Sequence, residues 1–164
     1  LSLRQIKGIS WAGSRGMKWS QLKHALQYLA LHNPSPKAIL IHLGSNDLGS
    51  LKSIEMRHAM KEDILSIFET FPDASLIVSA LLPRLVWQRT CIPVDKLERK
   101  RRQLNRFIKR LVEHDGGIFV RHEDISADTP GLYFRDGVHL SDVGTDLFLL
   151  SIKDVLEKVF SGNH

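Results

Sequence analysis

The sequence predicts an α/β protein, a three-layer sandwich in which helices cover both faces of a parallel sheet. Short apolar runs alternate with longer segments whose apolar residues recur at helical spacing. That alternation is typical of parallel strands joined by right-handed helical connections. A length of 164 residues provides for one hydrophobic core, so we expect a single domain over residues 1–164.

The strand at residues 38–43 is the most informative of the predicted strands. Its sequence is apolar without alternation, as in strands that are covered on both faces. It ends abruptly at Gly44-Ser45-Asn46-Asp47, which are small and polar turn residues. Ligands of open α/β sheets bind outside the carboxyl ends of the strands, so we expect this turn to deliver an amide and a carboxylate to a candidate site. Further strands are expected at residues 4–11, 75–82 and 118–121.

Helices are predicted at residues 17–31, 53–71 and 94–113, with a last helix that follows Ser141. In each segment the apolar residues repeat at the spacing of one helical face. Ser141 is a good N-cap residue because its hydroxyl can accept a hydrogen bond from an N–H group of the first turn.

Composition sets several limits on function. No apolar run reaches the roughly 18 residues of a membrane span, and residues 1–10 do not resemble a signal peptide. The single cysteine, Cys91, excludes an internal disulfide and offers no metal-ligand spacing. We therefore expect an intracellular protein, cytoplasmic or nuclear, that needs no metal or organic cofactor. The net charge of +5 permits an anionic partner without requiring one.

The helix predicted at residues 94–113 is rich in basic residues. An apolar line formed by Leu97, Leu104, Phe107, Ile108 and Leu111 is surrounded by lysines and arginines. One interpretation is the solvated face of a helix that packs on the core. The other is an electrostatic surface that binds nucleic acid through Arg99, Arg102, Arg106 and Lys109.

Asp136-Gly137-Val138-His139 is a candidate catalytic pair. An aspartate three residues before a histidine, across a glycine, can place its carboxylate on one imidazole nitrogen. The pair would fix the tautomer and support the ring when it accepts a proton near neutral pH. The alternative is a loop aspartate and an exposed histidine without a catalytic role.

Three segments in this order resemble the SGNH (GDSL-like) hydrolase family: SWAGSRG, GSND and DGVHLS. The resemblance covers most of the chain and implies a flavodoxin-like fold and esterase or acyl hydrolase activity on an ester or acylated substrate. It carries over Gly13 and Asn46 as donors of the oxyanion hole, and Asp136 with His139 as the acid–base pair. The chain also resembles SGNH-like domains encoded by retroelements, which suggests a non-catalytic domain that binds nucleic acid as the second possibility.

The family's nucleophile block, Gly-Asp-Ser at the end of a first strand, does not occur in these residues. We therefore expect the chain to be inactive as given, with the block either lying upstream or lost. The resemblance also places the missing first strand inside the sheet, between residues 4–11 and 38–43. An open slot there predicts poor solubility for this segment alone.

Three residues near the expected site have open interpretations. Arg84 and Trp87 follow the strand at residues 75–82 and either line the pocket or belong to a surface loop. His42 lies in an apolar strand and is either a hydrogen-bonded core histidine or a ligand.

Overall fold

A computed structural model describes residues 8–32, 35–88 and 90–161. Its sheet has three parallel strands in the order β1 (Ala38–Ile41), β2 (Ser75–Ser79) and β3 (Ile118–Val120). Ile39 pairs with Leu76, and Ile77 pairs with Ile118. The protein has the α/β fold that the sequence predicts, with helices flanking a parallel sheet.

Within the described ranges four α-helices accompany the sheet: α1 (Leu22–His32), α2 (Ser53–Thr70), α3 (Val94–His114) and α4 (Asp142–Ser161). The bounds of α2 and α3 agree with the predicted ones within one residue, whereas α1 begins five residues later than predicted, after a 3-10 turn at Trp19–Gln21. Ser141 caps α4 as expected, because its hydroxyl accepts a hydrogen bond of 3.2 Å from the N–H of Gly144. Among the described residues, no helix is long and apolar enough to cross a membrane.

The strands send alternate residues into two separate cores, as the period of two requires. The larger core lies on the side of α1, α2 and α3 and includes Leu76 and Val78 of β2. The smaller core lies under α4, where Ile77 packs with Val120 and Ile152. The three layers are therefore helices, sheet and helix.

The strand predicted at residues 4–11 is not formed where the structure describes it. Residues 4–7 lie outside the described residues, and residues 8–11 are a turn followed by irregular backbone. Gly8 has a φ of +84°, a left-handed conformation that interrupts an extended strand. In the described part of the chain β1 is consequently an edge strand, and three of its residues are only half-buried rather than covered on both faces.

Candidate functional site

Asp136 and His139 form a hydrogen-bonded pair in the loop before α4. Nδ1 of His139 lies 2.6 Å from Oδ2 of Asp136. The other carboxylate oxygen, Oδ1, accepts hydrogen bonds from the N–H groups of Val138 at 2.9 Å and His139 at 3.0 Å. These contacts, led by the one from the His139 side chain, hold the pKa of Asp136 well below its usual value. The carboxylate stays ionised and directs the Nδ1–H tautomer of His139, which leaves Nε2 as the proton acceptor.

The pair is open to solvent, with side-chain exposures of 65% for His139 and 41% for Asp136. A substrate can therefore reach His139 without any movement of the loop. Among the described residues, no serine hydroxyl is hydrogen-bonded to His139. The structure thus presents a base and its orienting carboxylate without a nucleophile in contact with them.

Asn46 lies in a 3-10 turn, Ser45–Asp47, directly beyond the carboxyl end of β1. Gly44 begins this turn with a φ of +112°, a conformation that favours glycine. The side-chain N–H₂ of Asn46 donates to the carbonyl oxygen of Met17 at 2.9 Å. Because an amide nitrogen carries two hydrogens, one donor of Asn46 remains for a ligand.

The contact with Met17 brings the loop of Gly13 to Asn46. Gly13 is exposed, a few residues before Met17, and nothing lies within 4 Å of the position that a Cβ would occupy. Gly13 and Asn46, which the family resemblance assigns to the oxyanion hole, therefore lie in two segments that are joined by the hydrogen bond between Asn46 and Met17.

Asp47 corrects one expectation drawn from the turn sequence. The sequence suggested that the turn delivers both an amide and a carboxylate to the site, but the Asp47 side chain is buried, with 1% exposed. Its Oδ2 accepts a hydrogen bond of 2.9 Å from the N–H of Trp19. Burial raises the pKa of Asp47, and the Trp19 N–H, Lys18 and Lys100 oppose that rise. Asp47 is therefore an anchor between two segments, and only Asn46 faces the ligand side.

The loop after β2 connects Asn46 to the Asp136–His139 loop. Nη2 of Arg84 donates to Oδ1 of Asn46 at 3.3 Å. The N–H groups of Leu85 and Val86 donate to the carbonyl oxygen of Gly137 at 2.9 and 3.0 Å. The three predicted segments therefore meet at the carboxyl edge of the sheet, where α/β proteins place their sites.

Arg84 and Trp87 are both half-buried in this loop, and the Arg84 guanidinium lies over the indole ring at 5.1 Å from its centroid. Burial lowers the pKa of Arg84, although the group stays charged because arginine starts from so high a value. The hydrogen bond of Arg84 to Asn46 favours the interpretation that Arg84 lines the pocket over the interpretation that it belongs to a surface loop.

A network of hydrogen-bonded side chains, which the sequence did not predict, crosses the sheet on its α4 side. Nδ1 of His42 lies 2.8 Å from Oγ of Ser79, which lies 2.7 Å from Nε2 of His122. Nδ1 of His122 lies 2.6 Å from Oγ of Ser151 on α4. Phe148 packs against both imidazole rings. His42 is hydrogen-bonded, but it follows the end of β1 and the residue is exposed, so it is not the core histidine that one interpretation expected.

Burial lowers the pKa values of His42 and His122 to about 4. The positive charge of Arg84 adds to the effect on His42, and His42 adds to the effect on His122. Ser79 is 2% exposed and cannot meet a substrate. The chain of four residues is therefore a neutral structural network at pH 7, separate from the Asp136–His139 pair.

Two further features bear on the chemistry. No group of three or more His, Cys, Asp or Glu side chains is placed to hold a metal ion in the described ranges. The groove between α1 and α2, lined by residues such as Leu26, Asp63 and Phe71, contains none of the candidate site residues. The chemistry that the arrangement offers is proton transfer at His139 beside amide donors, which is the requirement of acyl transfer.

These features define an α/β protein of the ester hydrolase type, with an Asp–His pair and an asparagine donor at the carboxyl edge of its sheet. The GDSL-like lipase/acylhydrolase family matches residues 1–147, and the chain belongs to this family. No curated protein matches the chain.

Solved structures share the fold at low sequence identity. A Streptococcus pneumonia protein named after platelet activating factor is 22% identical, with a TM-score of 0.73 over 93% of this chain and 74% of that one. A GDSL-like lipase from Bacteroides thetaiotaomicron is 20% identical, with a TM-score of 0.69 over 87% and 72%. A psychrotrophic esterase from Pseudoalteromonas is 17% identical, with a TM-score of 0.67 over 89% and 74%.

Proposed function

We propose that this chain supplies the acid–base and oxyanion parts of an SGNH-type serine esterase site. The observation that carries the proposal is the 2.6 Å contact between His139 and Asp136, set in the same cluster of loops as Asn46. In this assignment Asp136 orients His139, and Gly13 with Asn46 stabilises the oxyanion.

The reaction then follows from the placement of these groups. Nε2 of His139 takes the proton of a serine hydroxyl as the oxygen attacks the ester carbonyl, and it later returns a proton to the departing alkoxide. Negative charge develops on the carbonyl oxygen, where the free N–H of Asn46 and the backbone N–H of Gly13 would donate. Asp136 stabilises the imidazolium that forms between the two steps.

The nucleophilic serine is proposed to come from a Gly-Asp-Ser segment outside residues 1–164. Ser14 and Ser45 lie in the loops of the proposed oxyanion donors, and neither hydroxyl is hydrogen-bonded to His139. Without such a segment His139 has no serine to deprotonate, and we expect the chain not to hydrolyse esters.

The experiment compares two proteins in hydrolysis of p-nitrophenyl acetate. The first is the 164-residue chain, and the second is the same chain expressed with the reading frame that precedes Leu1. We expect activity only in the second protein, accompanied by an upstream Gly-Asp-Ser and by covalent labelling of that serine with a fluorophosphonate. An upstream frame without such a serine would leave a degenerate copy of the fold and overturn the proposal.

A second candidate function rests on α3. Arg99, Arg102 and Arg106 are exposed at spacings of three and four residues, which places them on one face of the helix. No carboxylate pairs with these three arginines among the described residues, whereas Lys109 lies 3.7 Å from Glu113. Such a face fits a non-catalytic, retroelement-derived domain that binds the phosphate backbone of nucleic acid.

Salt dependence tests this second function. Binding to a single-stranded RNA should weaken steeply with salt, and Arg99→Gln with Arg102→Gln should reduce the salt slope by about 1.4, about 0.7 for each lost phosphate contact. Binding should persist in His139→Ala. An RNA affinity and a salt slope that are unchanged in the double variant would refute the assignment.

A further inference from the structure

We propose that Arg84 is an anion-binding residue of this site and that the substrate is an ester carrying a carboxylate a short distance from its carbonyl. The inference deepens the proposed function and rests on it for the position of the ester. It is carried by the location of the Arg84 guanidinium beside Asn46 and by its lack of a carboxylate partner.

The location follows from the contacts of the loop after β2. Arg84 donates to Oδ1 of Asn46, the amide whose free N–H is assigned to the oxyanion. The next two residues, Leu85 and Val86, are hydrogen-bonded to Gly137, inside the loop that holds the acid–base pair. An ester whose carbonyl lies at Asn46 therefore has the guanidinium as an immediate neighbour.

The charge of Arg84 is unusual for its surroundings. Half-buried charges in proteins are normally paired, because removing them from water is costly. Arg101 follows this rule, since its Nε lies 2.8 Å from Oε2 of Glu98. Arg84 has no ion pair with any described carboxylate; it donates to the amide oxygen of Asn46, lies over the ring of Trp87 and interacts electrostatically with Tyr133.

The stacking on Trp87 prepares the guanidinium for a ligand. A planar guanidinium on an aromatic face keeps its edge free, and that edge matches a carboxylate with two parallel hydrogen bonds. The buried Nε1 of Trp87 also lacks a hydrogen-bond partner among the described residues. The loop thus holds donors that the described protein groups leave unused.

The two aspartates near the site already have hydrogen-bond donors of their own. Asp136 is engaged by His139 and two backbone N–H groups, and Asp47 is buried against Trp19. The charge of Arg84 also contributes to the lowered pKa of His42 on the neighbouring strand end. A carboxylate bound at Arg84 would therefore meet a guanidinium with which no described carboxylate is paired.

The experiment measures binding of a matched pair of probes to the 164-residue chain, so that it needs no nucleophile. Monomethyl succinate carries one carboxylate and dimethyl succinate carries none. Titrations would follow the Arg84 Nε–H and Asn46 side-chain resonances of ¹⁵N-labelled protein. We expect monomethyl succinate to bind at least about ten times more tightly than dimethyl succinate, because a hydrogen bond to a charged group contributes roughly 1.5–3 kcal/mol.

Three variants separate anion binding from other roles. Arg84→Gln should abolish the preference for monomethyl succinate, whereas Arg84→Lys should retain part of it because the charge remains. Arg110→Gln removes an equal charge from an exposed position of α3 and should change nothing. Each variant is first checked for an unchanged amide spectrum away from the site.

The outcomes also distinguish this inference from the proposed function. The probes are titrated into a chain without a nucleophile, so the binding preference is measured independently of any hydrolysis assay. Equal binding of the two probes, or an Arg84→Gln chain that loses affinity for both alike, would overturn the inference. The second result would instead make Arg84 a positioning residue for Asn46.

Discussion

The carbonyl oxygen of Gly137 accepts a hydrogen bond of 3.0 Å from the N–H of Val86, and this contact joins the acid–base loop to the loop after β2. Gly137 is buried with a φ of +65°, and a Cβ at this position would lie 2.8 Å from Cγ2 of Val86. A glycine is therefore required both for the backbone conformation and for the close approach of the two loops.

Gly137→Ala should separate these loops. We expect a loss of about 2–4 kcal/mol in the free energy of unfolding, from left-handed backbone strain and overlap with Val86. Gly131→Ala is the matched control, since Gly131 has a φ of +84° but nothing within 4 Å of its Cβ position. The control should lose only about 1–2 kcal/mol in urea unfolding. Equal losses in both variants would show that the loops do not depend on this approach.

Asn46→Ala should lower ester hydrolysis strongly and stability only slightly, by about 0.5–1.5 kcal/mol for the lost hydrogen bond to Met17. In a chain that includes the serine segment, loss of this donor should lower kcat by about a hundred- to a thousandfold. Asn105→Ala is the contrasting variant, because Asn105 exchanges hydrogen bonds with both backbone groups of Leu81 at 2.9 and 3.0 Å. It should cost about 1–3 kcal/mol of stability with little direct effect on chemistry. An Asn46→Ala chain that is destabilised as much as Asn105→Ala, with no larger loss of kcat, would argue that Asn46 is structural.

Asp47 should prove to be a structural residue. Asp47→Ala leaves the buried N–H of Trp19 without its acceptor, so we expect about 1–3 kcal/mol of destabilisation in thermal or urea unfolding. Asp47→Asn keeps an acceptor oxygen and removes a charge whose burial is unfavourable, so its effect should be within about 1 kcal/mol. If Asp47→Asn were as damaging as Asp47→Ala, the charge rather than the hydrogen bond would hold the turn.

The network of His42 and His122 should make the fold sensitive to acid. Their pKa values are lowered to about 4 in the folded protein, against about 6.5 in an unfolded chain. Between these values the unfolded chain binds more protons, so the free energy of unfolding should decrease as pH falls from about 6.5 to 4. His122 should account for more of the effect, because His42 keeps a solvent-exposed side where water stabilises the charged ring.

Urea midpoints across this pH range test the network. His122→Gln cannot titrate but can still hydrogen-bond, and it should flatten the pH dependence. His58→Gln is the control, since His58 is exposed on α2 beside Glu62. An unchanged slope in His122→Gln would contradict the assignment of the acid sensitivity to this network.

Elements with strong local signals were predictable from the sequence. The bounds of α2 and α3 follow from apolar periodicity, and the cap at Ser141 follows from residue type. The Asp136–His139 contact is also local, because the two residues are only three positions apart and Gly137 between them permits the tight bend. These predictions needed no knowledge of distant parts of the chain.

The remaining features depend on contacts between residues far apart in sequence. Asp47 turns inward because Trp19, 28 positions away, offers it an N–H. Ser79 joins His42 and His122 only because three strand ends adjoin in the sheet. No local pattern encodes such pairings, so the sequence identified Arg84 as a candidate but did not reveal its contact with Asn46.

The measurement that bears most directly on the proposed site is the effect of His139→Ala on kcat for p-nitrophenyl acetate, in the chain that includes its serine segment. The account predicts a loss of about a hundred- to ten-thousandfold, the usual contribution of a general base. Asp124→Asn, an exposed loop substitution, should leave the rate unchanged. Activity that persists in His139→Ala, with the protein folded, would contradict the role of the Asp136–His139 pair.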